Sequence, residues 1–196
     1  MSTLGSVWNH AENAAPEKIA VLEEGRRLSY REMGESIRRI QASLVRRWRL
    51  EVGAIVAVLA PNCSEFVISY FAIVGAGGIV QPLDQRLTSE EIKSMLQDSG
   101  ARYLIVHWTL WPKLERVCAE IPMLQDILGI GFIPAGGELF DDWLARPVEG
   151  IFAPDINARN PSEIMYTSGT TGEAKGVLRS HANVQAASRN AIRGFG

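Results

Sequence analysis

Only two cysteines, Cys63 and Cys118, occur in the 196 residues, far apart and in no C-x-x-C pattern. That excludes a disulfide scaffold and a cysteine-rich zinc site, so each thiol reads as a small core residue, and a reducing, cytoplasmic setting is expected. The first residues lack a basic region followed by an apolar run, so no signal peptide is expected. Net charge is only −2, which removes the bulk electrostatic case for nucleic acid or an anionic membrane as partner. The uncharged stretch at residues 66–80 is too short to span a bilayer and carries Gly77 and Gly78. It reads as a buried helix running into a buried strand, and no integral membrane segment is expected. No Gly-Lys-Ser/Thr occurs, which excludes a Walker loop. The run Gly75-Ala76-Gly77-Gly78 lacks the third glycine of a dinucleotide fingerprint, with Val80 in its place, and precedes a strand instead of following one. Close helix–strand packing is the better account of it.

What is present is a chain long enough for one domain with a sizeable core, at 46% hydrophobic and 21% charged residues. Residues 4–14 form a short helix in this reading, with Val7 and Trp8 as anchors. A strand at 19–22 turns at Glu24-Gly25 into 27–30. Ser29-x-x-Glu32 is a capping box, and Met33, Ile37, Ile40, Leu44, Val45 and Trp48 follow at helical spacing. Arg38, Arg39, Arg46, Arg47 and Arg49 lie mostly off that stripe and read as a solvated face, the last three also suiting the negative end of the helix.

From residue 54 strands and helices alternate. Residues 54–59 are an unbroken apolar strand, as a parallel sheet covered on both faces requires. A helix at 64–76, a strand at 79–82, a helix opened by the capping box Thr88-x-x-Glu91 and closed near Gly100, a strand at 103–106, a helix at 111–121 with Pro112 in its first turn, and a strand at 126–130 follow. Repeated βαβ units predict an α/β fold with a mainly parallel sheet and helices on both faces. Residues 131–161 read as a polar connection with a short helix at 139–144. Asp141 and Asp142 have no companion at metal-ligand spacing and read as a solvated helix start. A strand at 162–166 leads into a glycine loop, extended chain resumes at 177–179, and a helix runs from about Ala182. His10 and His107 have no chemical context and read as structural or surface residues.

The stretch from Thr167 to Gly176 holds three glycines, four hydroxyl residues and one lysine, and no large apolar side chain. It contributes little to a core, but glycines let backbone N–H groups turn toward an anion, hydroxyls add donors, and Lys175 adds a mobile positive charge. That is chemistry for holding a polyphosphate. Tyr166 stands where the first glycine of a nucleophile elbow belongs, so Ser168 does not fit that motif. The plain alternative is a hairpin turn. A phosphate-binding loop with nothing to grip is expected to be mobile over residues 168–175, between ordered strands.

Thr167-Ser168-Gly169-Thr170-Thr171-Gly172-x-x-Lys175-Gly176-Val177 resembles the phosphate-binding loop of the acyl-adenylate-forming (AMP-binding) superfamily, which includes acyl-CoA synthetases, nonribosomal peptide adenylation domains and luciferases. That family usually has proline where this chain has Ala174. Leu28-Ser29-Tyr30-Arg31-Glu32-Met33, Pro61-Asn62, and the segment from Gly75 to Asp84 ahead of Thr88-x-x-Glu91 also match family segments, in order. The resemblance implies the N-terminal subdomain of the adenylate-forming fold. It implies ATP as the nucleotide, a small carboxylic acid as substrate, and CoA or a pantetheine carrier as thiol acceptor. Thr167, Ser168, Gly169, Thr170, Thr171, Gly172 and Lys175 would wrap the β- and γ-phosphates, with Lys175 catalytic. Thr167 would touch Mg²⁺, a hydroxyl oxygen being a hard ligand. Glu173 would face solvent. His181-Ala182-Asn183 resembles the family's H-x-N. His181 then fits two readings, a catalytic residue near the acyl site or a helix N-terminal histidine with a structural hydrogen bond.

Family members are far longer, and the adenine-binding segment, the acidic Mg²⁺ ligand, the ribose-binding aspartate and the C-terminal domain with its catalytic lysine have no counterpart here. The chain is expected to be the N-terminal part of an ATP-dependent acid–thiol ligase, inactive alone. A truncated, non-catalytic nucleotide-binding or interaction domain is the alternative, and a homo-oligomer is left open.

Overall fold

Thr3 opens the first helix by accepting a hydrogen bond from the Ser6 N–H, and α1 runs Leu4–Ala14. The computed structural model of the protein describes residues 3–148, 154–168 and 174–194. Leu4 and Trp8 are the buried anchors of α1, while Val7 is exposed, contrary to its expected role. The contact stripe passes through Leu4, Gly5 and Trp8, with Gly5 packed close on Gly75, and leaves Val7 on the outer flank. β1 (Ile19–Glu23) and β2 (Arg26–Ser29) pair antiparallel around Gly25, whose φ of +71° suits glycine.

Ser29 and Glu32 form the expected reciprocal capping box, and α2 runs Tyr30–Arg47. Met33, Ile37, Ile40 and Leu44 are buried along its inner face. Trp48, just past its end, stacks on Tyr103 with ring centroids 4.8 Å apart. The basic side of α2 is not simply solvated. Arg38 grips Glu12 of α1 through bonds of 2.7 and 3.0 Å, Arg39 donates to the Leu144 carbonyl at 2.9 Å, and Arg47 Nε donates to Glu138 at 2.9 Å. Each partner lies far off in sequence, so nothing local announced it.

Seven strands form the main sheet among the described residues: β3 (Ile55–Leu59), β4 (Ile79–Pro82), β5 (Tyr103–His107), β6 (Asp126–Ile130), β7 (Glu138–Leu139), β8 (Pro161–Ser168) and β9 (Ala174–Ser180). Their spatial order is β7-β6-β5-β3-β4-β8-β9, and every neighbouring pair is parallel except β8 with β9. Alternate residues supply two cores, because side chains along a strand point to opposite faces. Val56, Val58, Val80, Tyr103 and Ile105 join one with α1, α2 and α3 (Ser64–Gly75). Ala57, Leu59, Leu104 and Val106 join the other with α4 (Ser89–Ser99). The expected α/β architecture, with helices on both faces, is the architecture observed.

The capping box of Thr88 and Glu91 opens α4, and Gly100 closes it in the left-handed region. Residues 75–78 pack helix to strand: a Cβ on Gly78 would stand 3.0 Å from Ile73 and 3.1 Å from Leu50. The helix expected at 111–121 is instead a 3₁₀ segment, Trp108–Lys113, followed by the short α5, Glu115–Cys118. His107 caps the turn by accepting from the Thr109 N–H, so helical winding starts early and Pro112 falls beyond the first turn, where its missing N–H blocks an α-helix. The connection at 131–161 contains the edge strand β7 as well as α6 (Phe140–Leu144), whose Phe140 and Trp143 are buried. After β9, α7 runs His181–Gly194. No helix among the described residues is long and apolar enough to cross a membrane.

Candidate functional site

From β3 the chain passes through α3 on one face of the sheet to β4, and from β4 through α4 on the other face, across β3, to β5. The two connections leave the sheet toward opposite faces at the carboxyl ends of adjacent strands. Open α/β sheets bind their ligands outside the carboxyl ends of their strands. A cleft of about 670 Å³ lies there, lined by Ala60 and Asn62 after β3, by residues 82–87 after β4, and by Met165, Tyr166 and Thr167 of β8. At its rim Arg86 clasps Asp84, with Nη2 2.6 Å from Oδ2, and these bonds hold the Asp84 carboxyl down to about 2.

β8 and β9 form an antiparallel hairpin whose ladder pairs Glu163 with Arg179, Ile164 with Leu178, Tyr166 with Gly176, Thr167 with Lys175 and Ser168 with Ala174. In sequence the glycine loop lies between Ser168, the last residue of β8, and Ala174, the first of β9, next to the cleft-lining Thr167. Gly169, Thr170, Thr171, Gly172 and Glu173 lie outside the described residues, and so does most of the loop whose mobility was expected. Thr167 is exposed and lines the cleft; Lys175 is exposed on β9. Directly opposed residues of an antiparallel pair share a face, with Cβ atoms about 5 Å apart. The hydroxyl and the ammonium can therefore serve one anion together. Among the described residues Lys175 makes no ion pair that would neutralise it.

His181, the first residue of α7, stands apart from the cleft lining and is 1% exposed. Its Nδ1 accepts from the Leu4 N–H at 3.2 Å, and burial pushes its pKa below the ordinary imidazole value. It thus ties α7 to the start of α1. No group of three His, Cys, Asp or Glu side chains that could hold a metal occurs among the described residues. Asp141 and Asp142 sit exposed in the first turn of α6, as expected of a solvated helix start. Cys63 and Cys118 are free and half-buried, and burial pushes both thiols up to about 11.

Three features of the hairpin escaped the sequence reading. Glu163 is buried; Arg179 Nη1 lies 3.0 Å from its carboxylate and the Tyr70 hydroxyl donates to it at 3.2 Å. Folding the sequence into a hairpin about residue 171 pairs 163 with 179, so an opposite-charge cross-strand pair was available as a signal. The hydroxyl of Tyr166 reaches α4, donating to Asp98 at 2.6 Å and approaching the Met95 carbonyl at 3.2 Å. Gly176 leaves room for that ring: a Cβ there would stand 3.1 Å from Tyr166 Cζ and 2.9 Å from Ile164 Cδ1.

Comparison with known proteins places these observations in a family. The family model described as "AMP-binding enzyme" matches residues 8–195. The chain is 34% identical over 180 residues to surfactin synthase subunit 3 of Bacillus subtilis, covering 91% of this chain and 13% of that protein. It is 30% identical over 179 residues to a 4-hydroxybenzoate–CoA/benzoate–CoA ligase of Rhodopseudomonas palustris, covering 91% of this chain and 33% of the ligase. Among solved structures, an anthranilate CoA ligase in complex with anthranoyl-AMP superposes with a TM-score of 0.84 at 26% identity, over 91% of this chain and 34% of that one. The chain thus spans about a third or less of the length of these relatives. With the family model covering nearly its whole length, the chain belongs to the AMP-binding enzyme family.

Proposed function

We propose that this chain is the N-terminal part of an ATP-dependent acid–thiol ligase, which activates a carboxylic acid as its acyl-adenylate with release of pyrophosphate and passes the acyl group to CoA or a pantetheine carrier. The observation that carries this reading is the pairing of Thr167 and Lys175 at the base of the glycine loop, beside the cleft at the carboxyl ends of β3, β4 and β8. The donor set fits a polyphosphate: an exposed hydroxyl, an exposed ammonium and a loop of glycines and hydroxyls between them. ATP would supply the electrophilic phosphorus and the pyrophosphate leaving group.

In this role the Lys175 ammonium binds phosphate oxygens and offsets the charge that builds on the departing pyrophosphate, which is the main work of catalysing such a transfer. Thr167, Ser168, Thr170 and Thr171 add hydroxyl donors, and Gly169 and Gly172 let backbone N–H groups approach the phosphates. The Thr167 hydroxyl oxygen suits Mg²⁺ as one hard ligand, with the rest supplied from elsewhere. His181, its Nδ1 already engaged by Leu4, keeps only Nε2 for a part near the acyl group. The relatives include ligases named for aromatic acids and for crotonobetaine or carnitine, which makes a small carboxylic acid the substrate class to test first.

The test is acid-dependent exchange of labelled pyrophosphate into ATP by the complete enzyme, across a panel of aryl and aliphatic carboxylic acids. Exchange with one acid class supports the reading. No exchange with any acid, from a folded enzyme that binds ATP, overturns it.

A further inference from the structure

The hairpin that carries the glycine loop is joined to the parallel sheet at a single register pair, Val80 with Glu163. Beyond it β8 and β9 continue as a two-stranded ribbon to Thr167 and Lys175. Four residues at about 3.3 Å each put Thr167, at the tip of the described ribbon, roughly 13 Å from that joint. A tilt of about 5° at the joint moves the tip by about 1 Å, and misplacement on that scale can cost about a hundredfold in rate.

The joint is built around a buried charge. The side chain of Glu163 is 8% exposed and that of Arg179 30% exposed. Their contact ties β8 to β9, and the Tyr70 hydroxyl ties the same carboxylate to α3. Burial, with the adjacent carboxylate, raises the Tyr70 pKa, so its phenol stays protonated and donates. On the opposite side Tyr166 binds Asp98 of α4. The ribbon is therefore fastened to α3 and to α4, two helices that line the cleft through Phe66 and through Glu91 and Met95. Burying a carboxylate is costly, and an apolar pair would serve stability as well or better. The Arg179 contact is an ion pair without hydrogen-bond geometry, so direction at the joint comes from the Tyr70 hydroxyl, which donates to the other carboxylate oxygen.

We propose that Glu163, held between Arg179 and Tyr70, is a positioning residue that sets the angle of the phosphate-binding hairpin and thereby the placement of Thr167 and Lys175 on ATP. This inference rests on the ligase reading above.

The decisive variants, made in the complete enzyme, are the double replacement Glu163→Leu with Arg179→Leu, which fills the joint with apolar side chains, and Tyr70→Phe, which removes one hydroxyl. For the double variant a melting temperature at or near wild type is expected, with the KM for ATP raised roughly tenfold or more while the KM for the acid stays within about twofold. Tyr70→Phe should raise the KM for ATP by about threefold. A folded double variant with wild-type KM for ATP overturns the proposal, as does an equal rise in both KM values, which would mean general loosening. Should the double variant not fold, Tyr70→Phe decides alone, and an unchanged KM for ATP in it overturns the proposal. A wild-type enzyme that forms no acyl-adenylate overturns the ligase reading and this inference with it. An active wild type whose KM for ATP ignores all these changes overturns this inference only.

Discussion

Thr167 and Lys175 face each other across the β8–β9 ladder, one pair short of the last described pair before the glycine loop. The pairing puts a hydroxyl and a cation on one face of the ribbon, and only Thr167 lines the cleft. The long stem of Lys175 lets its ammonium join Thr167 on one anion.

Lys175→Ala should therefore cost catalysis and spare the fold. Loss of one charge-stabilising donor is worth about 2–4 kcal/mol in the transition state. Lys175 is exposed and without an ion pair among the described residues, so stability should stay within about 0.5 kcal/mol of wild type. Pyrophosphate exchange by the complete enzyme, with a urea titration alongside, checks both halves. Wild-type exchange in the variant would remove Lys175 from the mechanism.

Gly176→Ala should destabilise the hairpin. The new Cβ would stand 2.9 Å from Ile164 Cδ1 and 3.1 Å from the Tyr166 ring, and that ring is held by Asp98 and Met95. The Ile164 methyl can swing aside, so the cost comes from the held Tyr166 ring and is about 1 kcal/mol, the low end for overpacking. Urea unfolding measures it, and a fluorescence or NMR signature of Tyr166 should shift as the Asp98 bond is strained. A variant as stable as wild type would mean that the ring moves freely.

Cys63 and Cys118 should resist alkylation at neutral pH in the folded chain. Burial pushes both thiols up to about 11, so almost no thiolate is present to react. Iodoacetamide labelling followed by mass spectrometry should find both thiols modified in urea and neither modified, over the same time, without it. Rapid labelling of either thiol under native conditions would contradict the burial seen here.

The parts legible in the sequence were those whose cause is local. Ser29 with Glu32 and Thr88 with Glu91 announce helix starts because both partners of each capping box lie within one turn. The apolar run at 55–59 announces a strand covered on both faces, since no polar residue interrupts it. The loop motif was legible because its residue types have no use in a core. What stayed hidden depends on distant partners. Glu163 reads as an ordinary strand residue until Tyr70, in α3, supplies the other half of its bond. The arginines of α2 read as solvated until Glu12, Leu144 and Glu138 come into place. The 3₁₀ segment at Trp108–Lys113 was hidden because His107 caps it from the end of a strand, which shifts Pro112 out of the position where an α-helix tolerates it.

His181 supplies the last prediction, a pH dependence of stability. Its Nδ1 accepts the Leu4 N–H, which only an unprotonated Nδ1 can do, and burial lowers its folded pKa below the ordinary value of 6.5. The unfolded chain therefore takes up a proton at this position first. Above the unfolded pKa the imidazole is neutral in both states and contributes no slope. As pH falls through the unfolded value toward the lower folded one, the unfolded state binds more protons and stability is lost. His107 is also held below its ordinary value by burial and adds a slope of the same sign, so the comparison must isolate His181. His181→Asn does so, because the amide oxygen can accept the Leu4 N–H in place of Nδ1 and does not titrate. Urea unfolding at about pH 7.5 and about pH 5.5 stays above the range where most carboxylates titrate. Wild type should lose more stability across that interval than His181→Asn, and the difference should vanish above about pH 7. Equal losses in the two proteins would mean that His181 is not held neutral by its place beneath α1.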